Sequence, residues 1–396
     1  MWQLIILIIA FIILFILVIK EVNVGLALII SSIILGITTL TLMKFIQISI
    51  DTLINYLTIE LILTMTFITI FSYMYQETGI VKELTESLEK IILNEKSIMM
   101  LMPAIFGLLP VLGGALFSAP MIENEGEKMK MDKGGQAFIN LWFRHLLFLI
   151  YPLEQAYIII VYLTGIDLKI LLIYQIPTFI IAIFSGYLFG LRKYKSKKYK
   201  VSLNKHWIKK FLIVFSPILL AIILSLIGLK IYISILIGII ILIFMSKNGT
   251  KFLINVIKKK EVLGMALTAF GIMFFREIMD KSNILNLLSI YIQTYNVSKV
   301  FPLMVIPFLI GFCLGVPTAA IAIIISMLSK IINFNPLNLS IIFVNMYLGH
   351  IMSPVHLCVA VTCQYFKVNI LEVYKKMILA EILTLIVPIS MFLITS

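Results

Sequence analysis

Residues 140–157 read NLWFRHLLFLIYPLEQAY, a stretch apolar enough for lipid yet carrying Asn140, Arg144, His145, Pro152, Glu154 and Gln155. A proline inside a helix removes one backbone hydrogen bond and clashes one turn back, so Pro152 marks a break. An ionised carboxylate at the middle of a bilayer costs about 2.5–3.5 kcal/mol even on insertion scales, so Glu154 must be protonated, paired or in contact with water. Arg144 is suited to an anion or a lipid headgroup. Residues 345–360, NMYLGHIMSPVHLCVA, repeat the theme around Pro354. There Asn345, Gly349, Ser353 and His356 follow at spacings of four, four and three, one small polar helical face, with His350 beside it. Side chains of this kind bind and release a small solute or an ion.

Two enzymatic arrangements compete. His350, His356 and Glu154 could ligate a metal, or Ser353 and His356 could form a nucleophile pair. No H-E-x-x-H is present, and the acid and the histidines come from distant segments without a recognisable spacing. The expectation is therefore that the chain is not an enzyme and holds no metal or other cofactor. Cys313, Cys358 and Cys363 show neither a metal-finger spacing nor a disulfide framework, and read as small core residues.

Only 13% of the 396 residues are charged and 61% are hydrophobic, against about 25% charged in soluble domains. Runs of 18 or more apolar residues read as membrane spans. The first, MWQLIILIIAFIILFILVI, lacks a basic leader and a small-x-small cleavage site, and is expected to be retained. The net charge of +13 lies between the spans, which points to anionic lipid headgroups rather than nucleic acid.

Six apolar runs, the basic stretch RKYKSKKYKVSLNKHWIKK and six further runs suggest an internal repeat. An offset of 204 pairs Phe71 with Phe275, Pro103 with Pro307 and Gly107 with Gly311. An offset of 205 pairs Asn140 with Asn345 and His145 with His350, and 202 pairs Pro152 with Pro354. We read residues 1–191 and 211–396 as two repeats joined by a basic cytoplasmic linker at 192–210. In each half the fourth run is broken by Pro and Gly near its middle, at PVLGGA (110–115) and LGVPTA (314–319). If each is a re-entrant hairpin, 24 Lys and Arg fall in inside loops and 6 in outside loops; if each is a kinked span, the numbers are 19 and 11. The positive-inside rule selects the hairpins. The expected fold is all-α, with two inverted repeats of five transmembrane helices plus one hairpin, a broken helix in each, and both termini outside. Gly113, Gly114, Pro317 and Thr318 mark the hairpin tips. Ile80, Val81, Leu84, Leu88, Ile91 and Ile92 give the segment before the first hairpin the spacing of an interfacial amphipathic helix.

This build, together with GFCLGVPTAAIAI and YLGHIMSPVHLCVAVTCQYF, resembles the ion transporter superfamily, in particular a poorly characterised prokaryotic membrane branch. The resemblance implies that tips and breaks together form the site, which carries over to Gly113, Gly114, Pro317, Thr318, Glu154, Ser353 and His356. It also implies a homodimer. Neither tip carries the Ser-Asn-Thr of the dicarboxylate branch. The expected function is ion-coupled secondary transport of a small solute across the cytoplasmic membrane, an organic anion before others, with H⁺ or Na⁺ as coupling ion. A cation/proton antiporter of the same fold and a membrane-embedded metal- or Ser/His-dependent enzyme are the alternatives. No Walker motif is present to supply direct ATP drive.

Overall fold

The computed structural model describes residues 2–91, 94–108, 115–196, 205–295 and 297–395, and these are helical without strands. In chain order the first half runs α1 (Trp2–Ile19), α2 (Val24–Thr39), α3 (Leu42–Ile54), α4 (Tyr56–Glu77), α5 (Ile80–Ile91), α6 (Glu95–Gly107), α7 (Ala115–Lys128), α8 (Lys133–Leu146), α9 (Gln155–Thr164) and α10 (Leu168–Gly186). The second runs α11 (Lys205–Leu226), α12 (Ile231–Met245), α13 (Gly249–Ile257), α14 (Lys260–Lys281), α15 (Ile284–Thr294), α16 (Ile306–Leu314), α17 (Pro317–Leu328), α18 (Pro336–Met352), α19 (Leu357–Phe366) and α20 (Ile370–Thr395). Adding 204 to both ends of α4 gives α14, and adding 202 to the starts of α9 and α10 gives those of α19 and α20.

Six stretches among the described residues are long and apolar enough to cross a membrane: Tyr56–Glu77, Leu168–Leu191, Lys205–Leu226, Lys260–Lys281, Pro336–Phe366 and Ile370–Ile394. Shorter apolar helices such as α2, α12 and α17 accompany them. The chain is an integral multi-pass membrane protein. Its outward faces agree with that build: α1 buries Leu7, Ala10, Leu14 and Val18 but exposes Ile5, Ile8, Ile12, Ile16 and Ile19. A helix apolar on every face is stable only in protein or lipid.

Two elements depart from the expected outline. The apolar run beginning at 23 ends at Thr39, and Leu42 and Met43 open a separate helix, α3, where a connection was expected. The loop expected at 247–261 likewise contains α13. Both are amphipathic: α3 buries Thr52 and leaves Leu42, Ile46, Ile50 and Leu53 exposed. Their periodicity is helical, but their polar residues keep them below the hydropathy of a span. The third amphipathic helix, α5, forms as expected, with Ile80, Leu84 and Leu88 buried.

The chain divides into two compact units. The first comprises Met1–Thr69, Gln155–Leu171 and Lys258–Ser353. With little hydrophobic drive between helices in lipid, close backbone approach at small residues holds it together. A Cβ built on Gly25 would lie 2.3 Å from the Leu267 backbone, and one on Gly271 2.6 Å from the Gly25 carbonyl, so α2 and α14 meet backbone to backbone. Cβ atoms on Gly311 and Gly349 would lie 2.2 and 2.0 Å from the carbonyls of Met346 and Phe308, joining α16 to α18 in the same way. α17 packs on α9, and the Tyr157 and Phe343 rings stack at 4.1 Å. A charged cleft is lined by Thr164, Ser326, Ser329 and the ion pairs Arg276–Glu277 (3.8 Å) and Lys330–Asp280 (3.3 Å).

The second unit comprises Ile70–Glu154, Leu172–Ile257 and Pro354–Ser396. Gly107 seats α6 on the Arg144 carbonyl of α8, where a Cβ would approach to 1.9 Å. α7 packs on α19, and α20 on α8. Trp142 Nε1 donates to Ala182 O at 2.9 Å. Outside the apolar stretches, Asp132 caps α8 by accepting from the Gly135 amide (2.7 Å) and binds Lys376 (2.7 Å) and the Tyr194 hydroxyl. Burial opposes its charge, but the hydrogen bonds from Lys376 and Tyr194 outweigh burial and hold its carboxyl below the ordinary carboxylate range. A depressed folded pKa stabilises the fold above the unfolded value, about 3.9, and that contribution is lost as pH falls through the folded value. The side chain is half exposed, so the contribution is on the order of 1 kcal/mol after screening. Asp132→Asn, which keeps a capping side chain, should therefore lower the melting temperature by a few degrees equally at pH 8 and pH 5. The gap to the parent should close below about pH 4. A gap that vanishes already by pH 6 would contradict this.

Candidate functional site

The site in the second unit is built where α8 stops. α8 ends at Leu146, continues as one 3₁₀ turn (Leu147–Leu149), and breaks over Ile150–Glu154. Pro152, three residues before α9 begins, cannot continue the hydrogen-bond ladder. The Glu154 amide instead donates to Tyr151 O at 3.0 Å. Tyr151, Leu153 and Glu154 are all buried. Just upstream, the fully buried Asn140 ties three helices. Its Nδ2 donates to Ala115 O (3.0 Å) and Thr362 Oγ1 (3.3 Å), and its Oδ1 accepts from Ser118 Oγ (2.5 Å). α7 and α19 are thereby fixed to α8.

Arg144 follows one turn later and is 3% exposed. Its Nε and Nη1 are buried and have no hydrogen-bond partner among the described residues. A guanidinium presents its donors in a fixed planar fork, and two nitrogens of this fork are buried without a partner among the described residues. Beside it, His145 and His356 are buried with ring centroids 4.8 Å apart at 75°. Cys358, half-buried on the first turn of α19, lies beside both rings. The ligand atoms of His145, His356 and Cys358 lie within 4.8 Å of one another, a set that could hold a metal ion.

Residues 3–395 match the family described as "Protein of unknown function (DUF401)". The chain belongs to the DUF401 family. No curated protein matches it.

In this DUF401 chain the remaining site residues distribute as follows. Gly113 and Gly114 lie outside the described residues, but both flanks of that segment, Gly107 and Ala115, rest on α8 at Arg144 and Asn140. In the first unit, Gly315 closes α16 with φ +61°, a left-handed conformation that glycine adopts without a Cβ penalty. Pro317 then opens α17, where its missing N–H is no loss, and Thr318 is buried. Asn345 differs from Asn140: its Nδ2 donates back to Ile341 O of its own helix at 2.8 Å. His350 is buried in α18, and its carbonyl accepts from the Ser353 amide at 3.1 Å. Ser353 is fully buried, and its Oγ has no hydrogen-bond partner among the described residues.

The metal-competent trio contains His356 but neither His350 nor Glu154, the partners weighed from sequence. More than 200 residues separate His145 from Cys358, so spacing gave no sign of them. Cys313 is exposed, so its reading as a core residue fails, whereas Cys358 and Cys363 are half-buried. Sequence reasoning also passed over Glu381, lost in the long apolar run of α20. It is 5% exposed, and its Oε1 has no partner among the described residues.

An unpaired buried cation costs several kcal/mol unless a ligand compensates it. Arg144→Leu should therefore raise the melting temperature of the ligand-free protein in detergent by a few degrees, at about 2–4 °C per kcal/mol. A drop of similar size would instead assign Arg144 a structural partner.

Proposed function

We propose that this DUF401 protein is an ion-coupled secondary transporter that moves a small organic anion across the cytoplasmic membrane. The observation that carries the reading is Arg144: a buried guanidinium, two of its nitrogens unpartnered, beside a helix broken at membrane depth. Broken helices in lipid are tolerated where they are buried in protein or line a watery path, and they are a recurrent means of binding solutes in transporters. An anion carrying a carboxylate or phosphate would fill the fork of Arg144 in a bidentate manner.

The fold we assign to this activity has ten spans and two re-entrant hairpins, in inverted halves. Contacts at the hairpin ends support it. Lys330, just past α17, pairs with Asp280 at the end of α14, so the chain enters α16 and leaves α17 near one place. Ser196 donates to Glu95 at the start of α6 (2.6 Å), while Tyr194 donates to Asp132 just past α7. A kinked span would put the two ends of each pair on opposite faces of the membrane. Glu381, a carboxyl buried within α20, is suited to carry the coupling proton. The buried acids Glu154 and Glu381 also favour a second reading, cation/proton antiport on the same scaffold.

Proteoliposomes with imposed pH or Na⁺ gradients and a panel of small carboxylates, phosphates and sulfonates test the reading. We expect gradient-driven uptake of at least one anion. Arg144→Leu should reduce it about 100-fold or more, and Arg144→Lys less, since a point charge lacks the planar fork. Glu381→Gln should abolish the dependence on the pH gradient. Wild-type uptake in Arg144→Leu would overturn the anion role. Proton-linked cation flux with no anion dependence would select the antiporter. For the topology, a cysteine replacing Leu337 should react with an impermeant reagent from outside, and protection there would remove the hairpins.

A further inference from the structure

We propose that His145, His356 and Cys358 form a binding site for a borderline or soft transition-metal ion, Zn²⁺ by class. The ligands are two imidazole nitrogens and one thiolate. Three observations carry this. First, α8 and the α19 start, far apart in sequence, bring exactly these ligand types together within 4.8 Å in the second unit. Second, both imidazoles are buried, at 2% and 6% exposure, and Cys358 is half-buried, so the three ligands sit largely shielded from competing solvent. Third, His145 Nδ1 lies 2.8 Å from Leu141 O. A carbonyl only accepts, so Nδ1 carries the proton and Nε2 presents the lone pair. A ring N–H held by a backbone carbonyl is the usual outer support of a metal-binding histidine.

The donor set selects the ion. It contains no carboxylate, which disfavours Ca²⁺ and Mg²⁺. Nitrogen and sulfur suit Zn²⁺ and its neighbours in the first transition row. Zn–N and Zn–S bonds of about 2.0–2.3 Å in a tetrahedron put ligands about 3.3–3.6 Å apart, so the trio closes by about 1 Å on binding. Binding replaces the thiol proton: Zn²⁺ joins Cys–S⁻ and two neutral imidazoles, and one proton leaves. The thiolate charge offsets the neighbouring Arg144, which would otherwise repel a cation. Three protein ligands leave the fourth position open, the arrangement of sites that exchange a ligand rather than of closed structural ones. None of this requires the transport reading, because the trio does not include Arg144.

The test uses the purified full chain in detergent, reduced and stripped of metal, titrated with Co²⁺ and then Zn²⁺. We expect one Co²⁺ per chain, with a thiolate-to-cobalt charge-transfer band in the ultraviolet and strong visible bands of a tetrahedral ion. Zn²⁺ should displace it. Cys358→Ser should remove the ultraviolet band, and His145→Asn or His356→Asn should weaken binding about 10–100-fold. Cys363→Ser and Cys313→Ser should leave both unchanged. Should the variants fail to fold, alkylation of the wild-type chain serves: Zn²⁺ should protect Cys358 from a maleimide, read by peptide mass. No stoichiometric Co²⁺ at micromolar concentration, a band that survives Cys358→Ser, or alkylation unaffected by Zn²⁺ would each overturn the site.

Discussion

Amides and carbonyls released where α8 and α18 stop must find partners inside the protein, because hydrocarbon offers none. Much else in the structure follows from that. At the first break the Glu154 amide turns back to Tyr151, and at the second the Ser353 amide turns back to His350. The first break is buried over Tyr151–Glu154, whereas Pro354 and Val355 of the second are exposed; burial at the first requires neighbours that approach closely. Glycines supply the approach: Gly107 at the Arg144 carbonyl, Gly311 at Met346 and Gly349 at Phe308. Each of these positions faces a backbone atom, which cannot rotate away as a side-chain tip could.

The same constraint explains why the halves are alike in outline and unlike in chemistry. Asn140 uses both donors and its oxygen to join α7, α8 and α19, whereas among the described residues Asn345 bonds within α18. At the shared register, Arg144 in the first half stands where Gly349 lets α16 approach in the second. One copy thus keeps the packing and the other carries a charge. The histidines differ in setting: His145 meets His356 and Cys358, and His350 lies buried in α18.

How much of this was legible depends on what a residue's neighbours in sequence reveal. Pro152 and Pro354 announce their breaks because proline disrupts a helix wherever it stands, and the structure interrupts α8 and α18 beside them. The periodicity of residues 80–91 gives α5 for the same local reason. The helices α3 and α13 were missed because each is too polar for a span, though its turns repeat plainly once sought. Cys358 and His145 could not be paired from the sequence: their meeting depends on α19 packing against α8, a long-range fact. Glu381 was hidden by the hydrophobicity around it, the same burial that makes it unusual.

The crossed packing of the post-break helices bears on how the chain is made. α7 rests on α19, and α9 on α17. Roughly 230 residues separate the end of α7 from the start of α19. At about 5–20 residues per second, a ribosome needs on the order of 10–50 s to supply that partner. During this interval α7, and Asn140 of α8 still lacking Thr362, must wait in the insertion machinery or against lipid. Completion of the α7–α19 contact is thus deferred until α19 is made, and a nascent chain halted before α19 emerges would carry a half-built site.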